Sequence, residues 1–492
     1  MAEHKKVLSF LDSSIEWGII CLIFFTPIAF STVEVWSEAV MEIGVFLVAF
    51  IWFLKIYLQG KVFMVDNPIN LVIVSFICLV AFQLIPFPDF LINIISPNTK
   101  RILDFYTSGI FGTFNFKTIS LNPWATKGEL VKLLTYAMVY FLVANNFNGR
   151  GRKNRLILSI IIVGSIEAFY GIIQYVSGEK MIFKFSKMFH ATDRLISTFP
   201  SADHFSAYIK MCIFISMGYL IYISEKGNNN KSYEFDRAKR KRGKRRTDSF
   251  IIKNFIMSSE KDFEKKIIII FAIVIMIVSL IFTKSRGGIL SFFLSSLFMF
   301  MLIIFRGTLK GHLWILILVT TITLILGCWI GFVPVFDRYF NVSIKEELEE
   351  GRFSIWSSTY NIFMDYPAMG TGFGCFEYVF PLYSLRSNQA WVNHAHNDWL
   401  ELLSDTGVIG FTIILLGVVY LSIFAFKKVL LYKNDSQIWI FLGGYTSILS
   451  IIIHSFVDFN LRTDANPFLV SVVLGLLVSF LNKSVPVMRD KR

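Results

Sequence analysis

Apolar runs of about 20 residues, the length a helix needs to cross a bilayer core, recur along this whole 492-residue chain. With 54% of residues hydrophobic, 52 of them Phe, and only 17% charged, a water-soluble fold would have no interior large enough for them. The chain is expected to be an all-α integral membrane protein of about 12 transmembrane helices. These are placed near residues 15–33, 38–58, 69–86, 130–147, 156–177, 203–223, 267–283, 287–305, 312–333, 406–426, 437–454 and 466–482. Residues 1–492 read as a single polytopic domain, with loops at 86–129, 224–266 and 334–405. The 86–129 loop contains "PFPDF" and "SPNTK", turn chemistry with room for a short surface helix. No small-residue cleavage site follows the first apolar run, so that run is expected to be a retained helix.

Lys and Arg set the expected orientation, because they concentrate in cytoplasmic loops. With the N-terminus inside, most of the 48 basic residues fall on inner segments, including "GRGRKNR" and the 224–266 loop. That loop carries 14 basic and 7 acidic residues and reads as a tether near anionic lipid. Its aromatics, Tyr233 and Phe235, are too few for a nucleic-acid surface, and no nucleic-acid partner is expected. Of the five cysteines, Cys21, Cys78, Cys212 and Cys328 sit in apolar runs and Cys375 in a loop. No CxxC occurs, so nothing points to a disulfide framework or a Cys-based zinc site.

On this topology the polar clusters gather at the outer ends of the helices. "WVNHAHNDWLELLSDTGVIGF" (391–411) precedes one span, and "HATDRLISTFPSADHFSAYIKM" (190–211) precedes another. "FTKSRGGIL" (282–290), "EEGRFSIWSSTYNIFMDYPAMGTGFGCF" (349–376) and "IIIHSFVDFNLRTDANP" (451–467) complete the set. Arg194, Arg286 and Arg352 run against the positive-inside bias, so each needs a reason. Each is either an interfacial anchor or ion-pair partner, with "KEELEEGR" offering acids to Arg352, or part of a guanidinium grip on a pyrophosphate.

Around His394 and His396 the helical period begins after His396, with Asn397 placed to cap it. His396 would then sit at a helix N-terminus, where the dipole disfavours an imidazolium and a neutral general base is favoured. Three readings stay open from spacing alone: a base, a packing and capping pair, or a metal site using His394, His396 and Asp398. Gly407 and Gly410 read as close helix packing. His454 and Asp458, four apart, would share a helical face and pair. Glu167, inside a span, should face the bundle interior.

Taken together these segments resemble the O-antigen ligase and polymerase superfamily of bacterial envelopes. His396-Asn397, nine residues, then Gly407-Val408-Ile409-Gly410 is similar to its His-Asn, Gly-x-x-Gly signature. "RLISTFPSADHFSAYI", "TKSRGG", the Arg352 block with "DYPAMGTG", and the His454–Asp458 hairpin resemble its other motifs, in the same order. Ser197 departs from the family's usual Gly, and Ala202-Asp203 from its Pro-Asn. The likeness covers residues 190–480.

The resemblance implies a cofactor-free, metal-independent, inverting glycosyltransferase in the bacterial inner membrane, with its active site facing the periplasm. The donor would be a glycan on undecaprenyl pyrophosphate, and the acceptor lipid A-core, another glycan or a protein hydroxyl. It implies His396 as base and Arg194, Arg286 and Arg352 as pyrophosphate ligands, with His394, Asn397, Asp398, His454 and Asp458 in support. Two other classes compete. A lipid-linked glycan transporter would place its polar groups at mid-membrane in repeated halves. A zinc hydrolase would need His394, His396 and Asp398 to converge.

Overall fold

The protein, seen in a computed structural model, is described over residues 2–60, 64–107, 116–178, 182–183, 194–239, 260–306, 351–384, 391–431 and 435–480. The first helices are α1 (Ala2–Ile28), α2 (Val35–Gln59) and α3 (Pro68–Gln83), then the short α4 (Asp89–Ile95) and α5 (Pro97–Thr107). Next come α6 (Pro123–Asn146), α7 (Arg150–Ser177), α8 (Ala202–Lys239), α9 (Glu260–Phe282) and α10 (Arg286–Phe305). The last are α11 (Arg352–Asp365), α12 (Phe376–Val379), α13 (Asp398–Leu431), α14 (Ile438–His454) and α15 (Ala465–Ser479). Eleven of the twelve expected segments fall on these helices, and the twelfth, 312–333, lies outside the described residues. Among the described residues, seven helices are long and apolar enough to cross a membrane, and α3, α14 and α15 are shorter apolar helices. This is an all-α membrane protein.

Local sequence explains many of the boundaries. Asn67 and Asn122 cap α3 and α6, their side chains accepting from Ile69 and Ala125 N–H, with Pro next in each case. Gly60 and Gly178 end α2 and α7 in the left-handed conformation. The centre of the bundle is the α8–α14 pair. Gly218 and Gly443 face each other so closely that a Cβ on either would meet the other helix's backbone. The pair runs antiparallel, which sets the start of α8 beside the hairpin that follows His454.

The described parts of the 86–129 segment hold more regular structure than a loop. Phe87–Pro88 pairs antiparallel with Phe116–Lys117, and α4 and α5 lie between them. Buried Lys117 bridges Asp89 (2.6 Å) and Asp104 (2.9 Å). The segment leans on the chain after α11: Asn98 donates to the Asp365 carbonyl (2.8 Å) and Leu121 N–H to the Thr371 carbonyl (2.9 Å). Ile102 and Leu121 pack on a small core of Ile355, Ile362, Phe376, Phe380 and Ala395. Ala395 therefore holds the His394–His396 turn onto this cap.

Gly407 proves to be a break in α13 more than a packing position. Its φ of 63° and ψ of −168° lie in a region open essentially to glycine alone. At the break the 367–370 loop enters: Val408 N–H donates to the Pro367 carbonyl (2.8 Å), giving the second half of the helix a backbone cap. Gln83 holds the same loop, donating to the Met369 (2.7 Å) and Asp405 (3.0 Å) carbonyls and accepting from Phe373 N–H (3.0 Å). At Gly410 an added Cβ would meet Thr406 first and then Leu79 of α3. Gly407→Ala should cost about 1–3 kcal/mol in backbone strain and also collide with the Ala368 carbonyl. The expected result is a lower melting midpoint in detergent and reduced accumulation, whereas unchanged stability would contradict the break.

Candidate active site

The His394-Ala395-His396 turn is held in an uncommon conformation. His396 has φ +51°, a positive value that few residues other than glycine adopt. Asn397 then caps α13, its Oδ1 accepting from Leu400 N–H (3.0 Å). His396 Nδ1 donates to Asp458 Oδ1 (3.3 Å). Because an ionised carboxylate only accepts, this contact puts the proton on Nδ1 and leaves the Nε2 lone pair open. The His396 side chain is 35% exposed while that of Asp458 is 4% exposed, so the dyad has a wet end and a dry end. Burial pushes the Asp458 carboxyl up, but the His396 hydrogen bond first, then His204, His454 and Arg352 around it, outweigh burial and hold it below the usual range.

His394 makes a second pair of the same kind, donating from Nδ1 to Glu401 Oε1 (3.0 Å). Both rings rest on Phe459, with centroids 4.6 Å and 4.7 Å from its ring, and His204 meets the same ring at 4.7 Å. The expected His454–Asp458 pair is not formed. The helix ends at His454, so the i, i+4 register is lost, and Asp458 turns to His396 instead. His454 is buried against Gly287, and among the described residues its Nδ1 has no hydrogen-bond partner. Asp398 points away from the histidines: its Oδ2 accepts from Ser455 Oγ (2.7 Å) and Leu461 N–H (3.3 Å). His394, His396 and Asp398 therefore do not converge as three metal ligands. Among the described residues no group of three or more His, Cys, Asp and Glu is arranged to hold a metal.

The arginines approach this turn from separate elements. Arg352, at the start of α11, donates to the Val457 carbonyl (2.6 Å), one residue before Asp458. Its sequence neighbours Glu346 to Glu350 lie outside the described residues. Arg194 donates through Nε to the Thr283 carbonyl (2.8 Å) and through Nη2 to Asp203 (2.8 Å). Arg286 opens α10, where Ser285 caps the helix by accepting from Gly288 N–H (3.0 Å). Gly287, next to Arg286, lies against His454 and Val457. The 282–287 hairpin and the start of α11 thus both reach the last hairpin, and the Arg194–Thr283 bond ties the 194–203 loop to the first of them.

Sequence reasoning left Glu167 without a role, and the structure supplies one. Its buried Oε2 accepts from Ser197 (2.7 Å) and Thr198 (2.7 Å), anchoring the Arg194 loop. Ser197 has φ +57°, the conformation in which glycine is cheapest, and its hydroxyl bonds to Glu167 hold it there. Arg462 was missed altogether. It pairs with Glu401 (3.0 Å), Asp405 (3.2 Å) and Glu129 (2.9 Å) and lies over Phe373. Burial opposes the charge, yet these acids hold the guanidinium above its usual pKa. The signal was available, since Arg462 is another arginine in a hairpin that the charge bias assigns to the outside.

A polytopic helical membrane protein with a histidine–carboxylate dyad, and Arg352 bonded to the residue before its carboxylate, is the class that the fold and site define. Residues 271–415, under a third of the chain, match the O-antigen ligase family model, so over that span the chain is similar to that family. The matched span includes Arg286, Arg352, His394–Asp398, Gly407 and Gly410, and leaves Arg194, His454 and Asp458 outside it. A comparison with curated proteins found no match.

Proposed function

We propose that this protein transfers a glycan from undecaprenyl pyrophosphate to an acceptor hydroxyl on the periplasmic face of the inner membrane. The observation that carries the reading is the His396–Asp458 dyad, with Nδ1 tied to a buried carboxylate and the ring part-exposed. In this reading His396 Nε2 takes the proton of the acceptor hydroxyl as its oxygen attacks the anomeric carbon. The bond from that carbon to the diphosphate oxygen breaks, the electron pair leaves with the diphosphate, and the configuration inverts. Asp458 keeps the tautomer and compensates the imidazolium that forms. Arg194, Arg286 and Arg352 bind the diphosphate and stabilise its growing charge, a role that planar guanidinium forks suit. Arg194 and Arg352 each spend a donor on a backbone carbonyl, which fixes their direction. No Lewis acid is required, since each charge in the scheme already has a partner among these side chains.

Deleting the gene and examining the envelope glycans tests this. Loss of all polymer from lipid A-core, with donor accumulating, is the result expected for a ligase. A single capped repeat would reassign the acceptor to a growing glycan, as in a polymerase, and unchanged envelope glycans would contradict glycan transfer.

A further inference from the structure

Glu401 lies one helical turn beyond the histidines, and its carboxylate is almost fully enclosed. Three donors meet its two oxygens. Oε1 accepts from His394 Nδ1 (3.0 Å) and from Arg462 Nη2 (3.0 Å), and Oε2 accepts from Ala395 N–H (2.8 Å). The Ala395 carbonyl is held in turn by Trp356 Nε1–H (3.0 Å). The residue between the two histidines is therefore fixed at both its peptide groups, and His394 at its ring. A non-glycine residue at positive φ, such as His396, persists only where its surroundings over-determine it.

We infer that Glu401, held in place by Arg462, is the positioning residue that locks the His394-Ala395-His396 turn and so aims His396 Nε2 at the acceptor. This rests on the reading of His396 as the base. The clamp spans two elements: Glu401 comes from α13 and Arg462 from the hairpin that also supplies Asp458 and Phe459. Both ends of the His396 dyad are thus tied to one rigid unit. Glutamine in place of Glu401 has one accepting oxygen for three donors, so one grip on the turn must open without a change of size.

Asp405 provides the control. It shares Arg462 with Glu401 (3.2 Å) and accepts from Gly374 N–H (2.8 Å), but among the described residues it makes no bond to His394, Ala395 or His396 themselves. Glu401→Gln, Asp405→Asn and His396→Gln should be compared in transfer assays with the reconstituted full-length protein. Glu401→Gln is expected to lower kcat about 10–100-fold, the scale of a small misplacement of a reacting group, with donor KM unchanged. Asp405→Asn should stay within about threefold of wild type, because the misplacement never arises. If Glu401→Gln does not accumulate, Glu401→Asp, charged but one methylene short, carries the same expectation. Wild-type kcat in the Glu401 variant, an equal fall in Asp405→Asn, or a change confined to KM would overturn the inference. An inactive His396→Gln beside a fully active Glu401→Gln would remove the clamp and leave the base reading intact. An active His396→Gln would remove the base reading. The 15N resonances of the two histidines would then decide the clamp alone: they shift in Glu401→Gln and not in Asp405→Asn if it exists, and in neither if it does not.

Discussion

Replacing His396 by alanine is expected to abolish glycan transfer while the protein still accumulates and still binds its donor. The side chain is 35% exposed and packs on the Phe459 ring outside the main helical core, so its loss should leave the bundle intact. What disappears is the group that accepts the proton, and losing a general base costs about 10²–10⁴ in rate. His396→Gln should be nearly as poor, because an amide can hydrogen-bond the acceptor hydroxyl but cannot take its proton. His394→Ala should be milder, since that imidazole is not asked to remove a proton in this scheme. Initial rates of transfer from a lipid-pyrophosphate donor, with protein quantified in the same membranes, read all three.

The second large effect is expected at Asp458. Asp458→Asn keeps the shape and removes the charge that faces His396 Nδ1 at 3.3 Å. An amide can present its NH2 group there, which would turn Nδ1 into the acceptor and put the proton on Nε2, the wrong nitrogen for a base. A fall in kcat on the order of 10²–10⁴ is expected with donor affinity retained, comparable to removing the base itself. Because the His396 hydrogen bond and the surrounding positive groups outweigh burial and hold the native carboxyl below the usual range, its charge is present wherever the enzyme is assayed near pH 7. An Asp458→Asn protein of near wild-type rate would show that the tautomer is fixed by something other than this contact.

The parts of this molecule set by short-range chemistry could be read from the sequence. Apolar run length located the helices, and the Asn397 cap followed from a polar residue standing just before a helical stripe. Runs of apolar residues do not distinguish a straight helix from one interrupted by an inserted loop, so the break at Gly407 was invisible. The long-range partnerships were also out of reach. Asp458 lies 62 residues from His396, and the four-residue spacing to His454 offered a nearer partner that the end of α14 removes. Arg462 was hidden differently. The argument that singled out three arginines against the charge bias applies to it equally, but its three acids come from Glu129, Glu401 and Asp405, which no local pattern links. Glu167 showed its cost in the sequence, and only the fold shows the Ser197–Thr198 turn that accounts for it.

The central claim is that His396 performs the proton transfer with protein groups alone. The most direct measurement is single-turnover transfer by purified protein in liposomes loaded with lipid-pyrophosphate glycan and acceptor, with donor binding measured on the same preparations. Wild-type protein treated with a chelator should transfer at its full rate, and His396→Gln should bind donor normally and transfer almost nothing. Near wild-type transfer by His396→Gln, or loss of transfer on chelation restored by added metal, would contradict the account.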